Sequence, residues 1–269
     1  MRDARESESS ASAGELAIVP VHSSEDARRL IAVLDEVWGG AAHLDPGMVV
    51  ALGHAGNYVV IAERDGVPVG GGVGFFGPPS EALLHSHIVG VLRTAAGGGV
   101  GYAVKQHQRE WGLARGIRSI TWTFDPLVSR NAHFNLTKLG VHVDAYLGDF
   151  YGSMDDGINT GQATDRLLVR WDITTGRREP GDRPARVNVT PWLVEDAEGE
   201  PTLLDDRPAG PRVSVSVPHD IEGLRERDPE LARRWRSAVR DALGGAMAAG
   251  WRVVAFDRSG RYLLERSSA

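Results

Sequence analysis

The chain alternates apolar and polar positions in two periods, and the switches between them mark its elements. ELAIVPV, Glu15 to Val21, alternates weakly and reads as a first strand. In SSEDARRLIAVLDEVWG, Leu30, Ile31, Leu34 and Val37 recur at helical spacing. Ser23 or Ser24 can cap that helix, acids occupy its first turn, and Gly39-Gly40 closes it. DPGMVVALGHAGN predicts a second short helix, with Pro46 in its first turn. NYVVIAER and VPVGGGVGFF flank Asp65-Gly66, a strong hairpin signal. A long strand, EALLHSHIVGVL, leads into a glycine-rich loop and a helix from about Gly101 to Arg115. SITWTFDP then reads as a buried strand, SRNAHFNLTKLG as a helix, and VHVDAYLGDFYG and DRLLVRWDI as strands. The order β-α-α-β-β-β-α-β-α-β-β predicts a mixed α/β sheet. Its first strands are joined by hairpins, and a β-α-β crossover makes its central strands parallel.

Composition changes after Ile173. TTGRREPGDRPAR, residues 174–186, is rich in Pro, Gly and Arg and reads as a linker. Residues 187–269 follow as a C-terminal extension. It holds the short apolar runs VNVTPWLVE and PTLLDD, the alternating RVSVSVP, and a long helix in DPELARRWRSAVRDALGGAMAAG. WRVVAFDR and RYLLER turn around Ser259-Gly260. This β-α-β-β pattern either extends the first sheet or builds a subdomain of its own. Residues 1–14 are polar and serine-rich, a disordered tail without the apolar stretch of a signal peptide, which leaves 15–173 as the first domain. No apolar run reaches the roughly 20 residues that span a bilayer, so a cytoplasmic protein with no membrane partner is expected. A net charge of −6 argues against a nucleic-acid partner. The absence of cysteine excludes disulfides, thiolate nucleophiles and cysteine zinc sites.

The chemistry concentrates around RTAAGGGVGYAVKQHQREWG, Arg93 to Gly112, where four glycines fall in five positions directly before a helix. The amides of Gly97, Gly98, Gly99, Val100, Gly101 and Tyr102, together with the helix dipole, suit an anion; the plain alternative is a flexible connector. Lys105 lies one turn into the helix. No Gly-Lys-Ser/Thr follows, so this is no Walker loop, and the hairpin-linked strands before it do not fit a dinucleotide fingerprint.

His85 and His87 are two apart on a strand and so share a face. They suit a base, a substrate contact or structural hydrogen bonds. With no third ligand at a diagnostic spacing, no metal is expected. Asp125 ends a strand, placed either to bind an amine or orient a base, or simply to start a turn. Tyr146 and Tyr151 offer a phenol acid or a substrate contact, or are packing residues. Asn159, Asp165 and Arg166 form a polar cluster; Arg166 either meets a substrate carboxylate or, with Asp165, secures a loop. Trp111 and Trp122 read as core. The segment RERDPELARRWRSAVR reads as a solvated helix face with an apolar stripe through Leu231, Trp235, Val239 and Leu243.

The pattern A-x-x-G-V-G-Y-A at Ala96 to Ala103, following HSHIVGVL, resembles the acyl-CoA pyrophosphate loop of the GNAT (N-acetyltransferase) superfamily, usually Q/R-x-x-G-x-G/A. The element order from Glu15 to about Ile173 is similar to that fold. HSHIVGV, WTFDPL, RNAHFNLTKLG, DFYG and the N-x-G-x-x-x-DR string from Asn159 to Arg166 resemble a branch of predicted GNAT acyltransferases with a C-terminal extension. The resemblance implies a GNAT fold in which acetyl-CoA or another acyl-CoA lies where two central parallel strands splay apart. It implies that amides around Val89, Val91 and Leu92 hold the pantetheine arm, that those of Gly97 to Tyr102 hold the pyrophosphate, and that Asn131 adds a contact. It implies direct attack on the thioester by a small-molecule amine, with the acyl group acetyl or larger, such as succinyl, and it allows a homodimer. Two positions depart from the pattern. Ala96 stands where Gln or Arg is usual, with Arg93 the nearest substitute. Leu136 stands where a tyrosine often protonates the leaving thiolate. These departures keep two alternatives open: an acyl-CoA hydrolase or O-acyltransferase, and a non-catalytic acyl-CoA or acyl-carrier binding module.

Overall fold

A computed structural model describes residues 14–40, 44–152, 163–175, 189–204 and 210–266. Asn159, residues 1–13 of the predicted tail and most of the predicted linker lie outside the described residues.

The local signals act where the sequence places them. Strand β1 (Leu16–Pro20) leads to helix α1 (Ser24–Trp38), whose cap Ser23 accepts the Asp26 amide while the Asp26 carboxylate accepts the Ser23 amide. Asp45 caps α2 (Pro46–His54) through the Met48 amide. Strands β2 (Tyr58–Arg64) and β3 (Val67–Phe76) turn at Asp65 and Gly66, both with positive φ (51° and 77°), the conformation an Asp-Gly hairpin turn requires. Then come β4 (Leu83–Val91), α3 (Val100–Leu113) and β5 (Ser119–Phe124). Helix α4 (Ser129–Ala132) widens into π-helical turns over His133–Leu139. Strands β6 (His142–Leu147) and β7 (Arg166–Asp172) complete a seven-stranded sheet in the order β1-β2-β3-β4-β5-β7-β6.

The C-terminal part builds a second sheet rather than extending the first. Strands β8 (Thr190–Glu195), β9 (Pro201–Leu203), β10 (Arg212–Ser216), β11 (Trp251–Phe256) and β12 (Arg261–Arg266) lie in the order β11-β12-β10-β8-β9. The short apolar runs are thus true strands, so the expected β-α-β-β is preceded by two more strands. The helical segment divides into α5 (Ile221–Arg227), α6 (Pro229–Val239), π-helical turns over Arg240–Gly244, and α7 (Gly245–Ala248).

One apolar cluster joins the two sheets. It combines Trp122 and Leu167 of the first sheet, and Leu127 just after β5, with Tyr262 and Leu264 of the second sheet and Trp235 and Val239 of α6. A smaller cluster seats α1 on the first sheet through Leu30 and Leu34 against Val59, Ile61 and Val73. The stripe read in α6 is buried as expected at Trp235, Val239 and Leu243. The face beside it is not all solvated, however: Arg225 and Arg236 are also buried. Among the described residues no helix is long and apolar enough to cross a membrane.

Candidate active site

The central feature is an interrupted ladder. Parallel strands β4 and β5 pair only at Leu83–Ser119, Leu84–Ile120 and His85–Thr121, and past that rung they separate. Each keeps its other neighbour: β4 pairs with β3 along its length, and β5 with β7. The first sheet therefore holds a wedge-shaped gap, closed at His85 and opening toward the C-terminal ends of both strands. Leu92 donates its amide to Val69 of β3 at 2.9 Å, so it is already committed. By the alternation of an extended strand, the amides of Val91 and Val89 face the other way, into the gap.

At the wide end the glycine loop turns into α3. Gly97 (φ 79°) and Gly99 (φ 78°) hold left-handed conformations that disfavour any side chain. The Gly98 amide turns back to Ala95, and Ala103 is the first donor inside the helix, to Gly99 at 2.9 Å. The amides of Val100, Gly101 and Tyr102 precede that first bond and point out of the helix end. Ala96 carries no charge, and two arginines lie near the loop. Arg64, the last residue of β2, lies across Gly98 and donates to its carbonyl at 3.4 Å. Arg93 is exposed beside the loop, and its charge, after burial, is the next largest cause lowering the pKa of Arg130 at the start of α4. Arg130 is held in a bidentate pair with Glu222 of α5. Asn131 follows it and is half-buried.

At the narrow end a register shift in the β3–β4 pairing leaves His87 as the extra residue of a bulge between Ser86 and Ile88. The rings of His85 and His87 still come together, 6.5 Å apart, with Phe75 at 5.2 and 6.0 Å. His85 Nδ1 lies 3.3 Å from the Thr121 hydroxyl. Burial, then the charges of His87 and Lys105, lower the His85 pKa. Desolvation lowers that of His87 too, in a residue that also reaches solvent. Further along β5, Thr123 meets the Tyr151 hydroxyl at 3.3 Å, and the guanidinium of Arg166 lies 5.4 Å from the Tyr151 ring. The histidines, two threonines, Tyr151 and Arg166 thus line one side of the gap. The described residues also form two open hollows. One of about 520 Å³ is lined by His142, Asp144 and Trp251; the other, of about 280 Å³, by Tyr102, Gln106 and Lys138. A slot between strands is narrow by construction, so the histidines and the loop mark the chemistry better than either hollow.

Other sequence candidates have different surroundings. Asp125 is buried and saturated: Arg236 grips both its oxygens at 2.8 and 2.6 Å, Arg225 adds a bond at 2.6 Å, and the Leu127 amide donates at 2.9 Å. Burial opposes ionisation, but the two guanidinium groups outweigh it and hold the carboxyl below its usual range. Tyr146 donates to Asp165 at 2.6 Å, and burial followed by that carboxylate raises its pKa. Asp165 is also gripped by Arg240, so it faces the second sheet's helices rather than Arg166. Leu136 packs half-buried against the shared core.

Lys105 does not reach the loop. It is turned inward, buried, with Nζ 2.9 Å from Ser86 Oγ, 3.1 Å from Gln108 Oε1 and 3.7 Å from the centre of the Trp122 ring. Desolvation alone lowers its pKa, to about 7. Neither this inward turn nor Arg64 was readable from spacing. The one available hint was an apolar stretch in which Lys105 follows Val104 at the position of a buried face.

No family model and no curated protein matches the sequence. Solved structures do. Ribosomal-protein-alanine N-acetyltransferase from Brucella melitensis matches at 18% identity over 58% of this chain and 99% of its own, with a TM-score of 0.48. An acetyltransferase of the GNAT family from Streptococcus pneumoniae matches at 17% over 58% and 98%, TM-score 0.48. Arabidopsis thaliana Naa50, in complex with the bisubstrate analogue CoA-Ac-MVNAL, matches at 17% over 58% and 97%, TM-score 0.47. Likenesses this distant carry no argument about substrate or residues. The described residues form a mixed seven-stranded sheet splayed between β4 and β5, with a second five-stranded sheet packed against it through a shared apolar cluster.

Proposed function

We propose that the protein is an acyl-CoA-dependent N-acyltransferase that moves an acetyl or larger acyl group, such as succinyl, to the amine of a small metabolite or amino acid by direct attack. The observation that carries this is the ladder that stops at His85–Thr121 while the first-turn amides of α3 converge at the wide end of the gap. A pantetheine chain is thin, extended and rich in amides, and suits a slot whose wall offers free strand amides. In this reading Val89 and Val91 hold that arm. The amides of Gly97 to Tyr102, with Arg64 and Arg93 nearby, hold the pyrophosphate. Asn131 contacts the arm from α4.

The thioester then lies near the bulge, where His85 or His87 takes the proton of the attacking amine. Both imidazoles have lowered pKa values, so they are unprotonated near neutral pH, the state a base needs. Tyr151 and Arg166 face the acceptor. Asp125 and Tyr146 serve the junction between the sheets instead of the reaction.

The test is free-thiol release from a panel of acyl-CoAs with and without amines. Release that depends on amine is expected. Release without amine would make the protein a hydrolase, a reading kept in view by Leu136. CoA binding with no release from any thioester would make it a binding module.

A further inference from the structure

Lysine occurs only at positions 105 and 138, and the other 28 basic residues are arginine. Arginine stays protonated in proteins, whereas a buried lysine gives up its proton readily. One of the two lysines is among the most buried polar residues of the fold, at 4% exposure.

Its position is specific. His85 and Thr121 form the last rung before the splay, and the next residues along the two strands are Ser86 and Trp122. Lys105 Nζ touches both, bonding Ser86 Oγ and lying over the Trp122 ring. The ammonium group therefore sits against both strands one residue past the last rung, on the face that α3 covers. Trp122 in turn donates its Nε1–H to Asn135 at 3.3 Å, the neighbour of Leu136. The indole thus lies between Lys105 and Asn135, the residue that precedes Leu136 in the chain. An ammonium has three N–H donors; Ser86 and Gln108 accept two, and no oxygen among the described residues accepts the third.

We propose that Lys105 is the proton donor to the CoA thiolate as it leaves, in place of the phenol absent at Leu136. The proposal rests on the acyl-transfer reading above. In the step, the amine nitrogen forms a bond to the thioester carbonyl carbon. The carbon–sulfur bond breaks and its electron pair stays on sulfur. A proton passes from Lys105 Nζ to that sulfur, giving the free thiol. The surplus amine proton goes to His85, and solvent returns one proton to Lys105 and removes one from His85 between turnovers.

The surroundings allow this cycle. The groups in contact with Lys105 are Ser86 of β4, Gln108 of α3 and Trp122 of β5; His85 of β4 is near enough to feel its charge, and Asn135 lies beyond the indole. None is a carboxylate that would pin the ammonium in its charged form. Desolvation brings the amine to about 7, where it both holds and releases a proton near neutral pH.

With only two lysines, protein carrying ¹³C-lysine gives two ε-carbon signals, assigned through Lys138→Arg. The signal of Lys105 is expected to titrate near 7, and the fall in kcat at high pH is expected to track it. Lys105→Met should lose that basic limb and about 100-fold in kcat, with CoA affinity unchanged. A thioester of a more acidic thiol, which leaves without help, should recover most of the loss. Survival of the basic limb in Lys105→Met, or a loss under threefold, overturns the proposal while leaving acyl transfer standing. Absence of amine-dependent thiol release from the wild type overturns the parent reading as well. Should Lys105→Met fail to fold, Ser86→Ala carries the test. A shift of the lysine signal with the kcat limb supports the proposal, and a shift without it overturns it.

Discussion

Two buried charges in this fold are treated in opposite ways. Asp125, at the end of β5, is held by two arginines from the second part of the chain and by a backbone amide. Lys105, at the closed end of the splay, has a hydroxyl, an amide oxygen and an indole face, and no counter-ion. A buried charge is costly, and a stable fold neutralises or pairs it. Pairing at Asp125 ties the two sheets together; its absence at Lys105 leaves an ammonium whose proton desolvation loosens, to a pKa of about 7.

The sharpest way to break this comparison is at the junction. Asp125→Ala strands two guanidinium groups in the core and should cost about 3–5 kcal/mol in urea unfolding. Asp125→Leu combined with Arg225→Met and Arg236→Met should recover much of it. Lys105→Met should act in the other direction. Between the folded pKa of about 7 and the unfolded value near 10.5, the unfolded chain binds more protons, so wild-type stability rises with pH across that window and levels off below it. Unfolding of Lys105→Met, followed from pH 7 to 10, should lack this rise and lie above wild type at pH 7.

Smaller effects sharpen the site. Gly101→Trp fills the space before the helix end and should weaken CoA binding by at least about tenfold in calorimetry, without lowering the melting temperature. Arg64→Gln should weaken it by about two- to fivefold, less so at high salt, because the guanidinium is a partly solvated charge.

What the sequence reveals and conceals follows the range of each interaction. Capping at Ser23, the Asp65-Gly66 turn and the glycine loop depend on residues within a few positions, and all stand where the pattern puts them. Asp125 meets its arginines 100 and 111 residues away, so its carboxylate looked as available as any at a strand end. Arg64 reaches Gly98 because β2 and β4 flank β3 in the sheet, an order that pairing sets and composition does not. Helical spacing puts Lys105 above Gly101, but which face turns inward is decided by what packs against α3. The bulge at His87 is also silent in sequence, since two histidines in an unbroken strand would look the same.

The gap between β4 and β5 has a mechanical consequence. A sheet broken at its centre contains two rims of unsatisfied backbone, the kind of edge that normally invites another chain. Here the rims face each other across the gap that opens beyond His85 and Thr121. An extended molecule of amides lying between them would serve as the missing strand. Occupancy would then be read in the backbone itself, as slowed hydrogen exchange at Val89 and Val91.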